Sequence, residues 1–128
     1  MDWLRRTAAS GVTHVLFAFV AMGGWAYFAN TAHPMPKPLV AGLVQGTMSA
    51  CLTLFLKTTI DHLAGMMARP WSLWAPPAIA CAASAAILAT IHKIAGTPEI
   101  LATIAVPLLV ATSYGFIYNF ARRRSVHG

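Results

Sequence analysis

Between Leu39 and Ile60 the chain reads LVAGLVQGTMSACLTLFLKTTI, and Lys57, near the end of the run, is its only charge. About 20 consecutive, mostly apolar residues are enough for one helical crossing of a bilayer. The stretch is therefore expected to be a membrane span, and three more windows of the same kind flank it. They run from about Val12 to Thr31, from about Leu73 to Ile94 and from about Ile100 to Ala121. The connections are short. The first holds Pro34, Pro36 and Pro38, a stiff non-helical reversal.

The whole chain fits this pattern. Its 128 residues are 58% hydrophobic and 9% charged, with a mean hydropathy of +0.65. Soluble domains carry roughly a quarter charged residues, and Asp2, Asp61 and Glu99 are the only acids here. This composition excludes a soluble enzyme, a disulfide scaffold and a disordered tail. The expected fold is all-α: a polytopic membrane protein of four transmembrane helices forming one domain over residues 1–128. The net charge of +6 sits in short clusters between apolar runs, which argues against a nucleic-acid-binding face.

Basic residues in short loops set orientation. A cytoplasmic N-terminus would put Arg5, Arg6, Lys57, Arg69, Arg122, Arg123 and Arg124 on that side, with only Lys37 and Lys93 opposite. Both termini are accordingly expected in the cytoplasm, in the inner membrane of a cell. Arg5 and Arg6 ahead of an apolar stretch imitate a signal peptide. That stretch is long for such a segment, and the first span is expected to be retained. Cys51 and Cys81 fall inside spans and behave there as small hydrophobes.

Polar residues within the spans are the candidates for function. Gln45, Ser49 and Thr53 recur at intervals of four, making one stripe along the second helix. Beside it run Gly42, Gly46 and Ala50, which would let another backbone approach closely. A buried amide requires a partner. Gln45 thus lines either a path for a polar headgroup or a hydrogen-bonded packing seam. In the fourth span, Ala111, Gly115 and Asn119 form a row with Tyr114 and Tyr118 beside it, and Pro107 should kink the helix. An offset of 65 residues lays the second span on the fourth, a hint of two repeated helix pairs.

Other residues have plainer readings. Thr97, Pro98 and Glu99 suit a helix start, with Thr97 as N-cap. Lys57 and Asp61 are spaced for a surface ion pair. His14, His33, His62 and His92 are expected to be lone interfacial residues rather than haem ligands. No carboxylate sits in the middle of a span, which counts against a proton-coupled exporter.

The segment Asn119-Phe120-Ala121-Arg122-Arg123-Arg124-Ser125-Val126 resembles the end of a membrane span in GtrA-like proteins, which reads Asn-Phe, two residues, then paired basic residues and a valine-containing tail. The second span ends without that pattern, at Phe55-Leu56-Lys57-Thr58-Thr59. The resemblance implies four spans in two helix pairs and a part in moving polyprenyl-phosphate-linked sugars across the membrane. It further implies that Asn119, Arg122 and Arg123 engage a lipid phosphate.

The resulting expectation is a non-enzymatic carrier without cofactor or metal. Its candidate binding residues are Gln45, Ser49, Thr53, Tyr114, Tyr118, Asn119, Arg122 and Arg123. Its partners would be membrane lipids and a lipid-linked sugar, with further copies of itself or the subunits of a membrane complex. An accessory subunit of a larger membrane complex is the alternative reading, and a small exporter the third.

Overall fold

The computed structural model describes the backbone of residues 2–127 and the side chains of Asp2 and residues 12–121. Four helices account for nearly all of it, and there is no strand among the described residues. They are α1 (Asp2–Ala29), α2 (Lys37–Met66), α3 (Ala75–Ala95) and α4 (Ile100–His127). All four are long and apolar enough to cross a membrane. At 1.5 Å per residue, the 30 residues of α2 reach about 45 Å.

The helices alternate in direction, so both termini and the α2–α3 connection share one end. The α1–α2 and α3–α4 loops share the other, here called the far end. The central helices are α2 and α4, each touching the other three, while α1 and α3 lie to either side. The packed centre comprises Leu52, Leu56 and Ile60 of α2, Ala80 and Leu88 of α3, and Ile104 and Ala111 of α4. Large apolar side chains also point outward. Phe17 is 71% exposed and Leu101 83%, a surface suited to hydrocarbon rather than water.

A glycine seam joins α1 to α2. A Cβ on Gly23 would lie 2.8 Å from the carbonyl oxygen of Gly42, and one on Gly42 would lie 3.0 Å from that of Gly23. Gly46 meets the carbonyl and ring of Phe19 at similar range. The small stripe expected on α2 therefore admits α1, at a separation only hydrogen side chains permit. In the second pair, a Cβ on Gly115 of α4 would meet Cys81 and Ile60 at an ordinary 3.5 Å.

Helix ends depart from the expected spans: α1 already begins at Asp2, α2 runs on to Met66 and α4 to His127. The first helix stops at Ala29 rather than Thr31, because Asn30 is diverted to hold α4. The third begins at Ala75, since Pro76 and Pro77 lack N–H groups and fit only a first helical turn. Trp71–Leu73 ahead of it forms a short 3-10 turn.

Candidate functional site

At the far end, polar side chains from all four helices close on one another beneath the two loops. Gly96 ends α3 in the left-handed region, at φ 79°, which suits a residue without Cβ. Its N–H donates to Lys93 O at 3.2 Å, and the next amide, Thr97 N–H, donates to His92 O at 2.9 Å. This reversal is a Schellman turn. It carries the Thr97 hydroxyl back to within 2.7 Å of His92 Nδ1. On the other side of the ring, His92 Nε2 lies 2.8 Å from Gln45 Oε1, which has no hydrogen and so accepts. Gln45 Nε2 in turn donates to Ser49 Oγ at 2.9 Å. Gln45 and His92 are both fully buried.

A second set braces α1 against α4. Asn30 Nδ2 donates to Ala26 O at 2.8 Å and to Thr103 Oγ1 at 2.7 Å, while Asn30 Oδ1 accepts the Glu99 amide at 3.0 Å. The expected N-cap at Thr97 is thus replaced by Asn30, because the Thr97 hydroxyl is engaged by His92. Trp25 Nε1 adds a bond to Ala102 O at 2.8 Å. Across the loops, His33 Nε2 sits 3.0 Å from Glu99 Oε1, and Lys37 Nζ donates to Gly96 O at 3.2 Å.

At the opposite end, two of the expected residues, Tyr118 and Asn119 of α4, make contacts. Tyr118 donates to Asp61 at 2.8 Å, so the Asp61 carboxylate meets Tyr118 where spacing alone had suggested Lys57. Asn119 Nδ2 donates to Ser72 O and Leu73 O, fastening α4 to the turn ahead of α3. The buried Asn119 Oδ1 has no hydrogen-bond partner among the described residues. Among the described residues, no group of His, Cys, Asp and Glu converges to hold a metal.

Between the two ends lies a cleft of about 150 Å³, walled by α1, α2 and α4. Phe17, Ala18 and Met22 form one side, Pro107, Val110, Ala111 and Tyr114 another, and Ser49, Leu52, Thr53 and Leu56 the back. Phe17, Thr53 and Val110 are exposed at its rim, so it opens on the flank of the bundle. Ser49 lies twelve residues into α2, about 18 Å along a helix, near the middle of a bilayer. The lining residues are apolar except for Ser49, Thr53 and Tyr114, each of which carries a hydroxyl. Thr47, Thr58 and Ser113 instead close on carbonyls of their own helices.

The chain matches no family model, no curated protein and no solved structure.

Of the eight residues expected to bind, Ser49, Thr53 and Tyr114 come together in the cleft. Gln45 stands one turn above, directed at His92 and Ser49. Tyr118 stacks on Tyr114, with ring centroids 5.8 Å apart, but its hydroxyl is held by Asp61. Asn119 is directed at the α2–α3 connection, so Gln45 and Asn119 do not face one cavity. The side chains of Arg122 and Arg123 lie outside the described residues. His92, expected at an interface, proves to be the buried link between Gln45 and Thr97. Its signal in the sequence was the unmet need of Gln45 for a partner from another helix.

Proposed function

We propose that this protein takes an amphiphile laterally from the bilayer into the α1/α2/α4 cleft, and that the amphiphile is a lipid-linked sugar passed between leaflets. The observation that carries this reading is a set of three hydroxyl-bearing residues, near the middle of α2 and α4, lining an otherwise apolar cleft. Hydroxyls there offer hydrogen bonds to a polar group that would otherwise cross hydrocarbon unsolvated. The open flank lets the lipid tail stay outside. The resemblance of the Asn119–Val126 segment to GtrA-like proteins points the same way, as do the arginines that follow Ala121. Anionic headgroups are drawn to such basic juxtamembrane clusters. The seven-to-two bias of Lys and Arg supports an inner-membrane location with both termini in the cytoplasm.

The test uses purified protein in liposomes with a polyprenyl-phosphate-linked sugar. Wild type is compared with a Ser49→Ala, Thr53→Val, Tyr114→Phe triple variant, which removes three oxygens and little volume. Sugar movement by wild type and a loss of at least about tenfold in the variant are expected, on the scale of hydrogen bonds in lipid. Absence of movement by folded wild type would overturn the stand-alone carrier.

A second reading rests on its own observation. Gln45 and Asn119 both end on protein partners and neither lines the cleft, which is what a non-catalytic subunit of a larger membrane complex requires. In that case wild type moves no sugar by itself and co-purifies with its complex.

A further inference from the structure

The hydrogen-bond chain at the far end does not stop at a structural contact. It runs Thr97, His92, Gln45, Ser49, and its last member lines the cleft. Every link is buried: Gln45 and His92 are inaccessible, and Ser49 and Thr97 are each only 7% exposed. Direction matters along this chain. Gln45 Oε1 is committed to His92, so the Gln45 amide must present its N–H group to Ser49. Ser49 Oγ therefore accepts, and its own proton is left to be donated elsewhere. Serines inside helices usually donate that proton to the carbonyl one turn back, as Ser84 does to Ala80 and Ser113 to Leu109. Ser49 makes no such bond, and Ser49 is one of the residues that line the cleft.

We infer that Ser49 is the specificity-determining donor of the cleft, selecting an amphiphile that brings an uncharged oxygen acceptor, a carbonyl or ether oxygen, to mid-membrane depth. Gln45 and His92 are positioning residues that keep the Ser49 proton turned toward the ligand. The cleft lining contains no Lys or Arg to balance an anion, so the group that Ser49 meets is a neutral oxygen of the ligand rather than its phosphate. Within the carrier reading on which this inference rests, the oxygen is a ring or glycosidic oxygen of the sugar. The choice of acceptor belongs to Ser49 whether or not transport follows.

The experiment uses the full chain in phosphatidylcholine vesicles with two diazirine probes of equal length, a long-chain methyl ester and the corresponding hydrocarbon. Photolabelling is mapped to the cleft peptides by mass spectrometry. Wild type should take up the ester about threefold to tenfold better than the hydrocarbon, the range one hydrogen bond commands in lipid. Ser49→Ala should erase the ratio while still labelling with the hydrocarbon, and Ser49→Thr should restore it. Gln45→Met, close to isosteric, should lower the ratio toward one, whereas general damage would depress both probes alike. Equal labelling of wild type by both probes, or an ester preference that survives Ser49→Ala, overturns the inference and leaves cleft binding standing. An unchanged ratio in Gln45→Met overturns the positioning role. Failure of both probes to label the cleft overturns the cleft reading and this inference together.

Discussion

At the residue scale, His92 is the side chain on which the far end depends. Its two ring nitrogens join α2 to the α3–α4 loop, through Gln45 at 2.8 Å and Thr97 at 2.7 Å. His92→Leu would leave both partners buried without their bond. Stability should fall by about 1–2 kcal/mol, since interhelical hydrogen bonds in membranes contribute about 0.6–1.7 kcal/mol each. Reversible unfolding in mixed micelles measures it, and a double-mutant cycle with Gln45→Leu should show coupling of about 1 kcal/mol. Glu99→Gln is the contrasting case. Glu99 is about half exposed and faces a similarly exposed His33, so the substitution should cost less than about 1 kcal/mol. Ser49, Thr53 and Tyr114 were legible in the sequence because a hydroxyl within an apolar run stands out. His92 was not: its partners lie 47 residues before it and 5 after it. Only the fold brings the first of these near, and only the turn at Gly96 swings the second back.

At the element scale, the seam between α1 and α2 is the contact most sensitive to a single methyl group. Gly23 and Gly24 are neighbours on one helix with opposite surroundings. A Cβ on Gly23 meets a backbone oxygen at 2.8 Å, while one on Gly24 meets nothing within 4 Å. Gly23→Ala must push two helices apart and should cost about 1–3 kcal/mol, as overpacking does. Gly24→Ala should be neutral or stabilising by up to about 1 kcal/mol, since alanine favours the helix. Micellar unfolding of the two variants side by side is the measurement, and equal effects would show that the seam is not closely packed. The four helices themselves could be read from span length and apolar composition alone. Their ends could not be read as well. Where α1 stops is decided by Asn30 reaching across to α4, and where α3 starts is decided by two prolines and the turn before them.

At the scale of the whole molecule, orientation and cleft are linked. With the proposed cytoplasmic termini, the His92 network would lie toward the outer face and the Tyr118–Asp61 contact toward the cytoplasm. In a Cys51→Ala, Cys81→Ala background, Met35→Cys should react with a membrane-impermeant thiol reagent from outside. Arg69→Cys should react only after the membrane is opened. The reverse pattern would invert the bundle and move the buried network to the cytoplasmic half. The cleft was only partly foreseeable. Its three hydroxyls stand on two helices at matching depth, but its shape depends on α1 closing against the upper half of α2 through glycines. Below that seam, Phe17 remains at an open rim. The central claim, that this cleft receives a lipid-linked sugar, is tested most directly by photolabelling. A photoactivatable polyprenyl-phosphate sugar is incorporated into vesicles holding the full chain, and the labelled residues are mapped. The account predicts label on Phe17–Met22, Ser49–Leu56 and Pro107–Tyr114, suppressed by excess unlabelled lipid-linked sugar. Label confined to the outer surface of α3, around Ile87 and Ile91, or unaffected by that competitor, would contradict it.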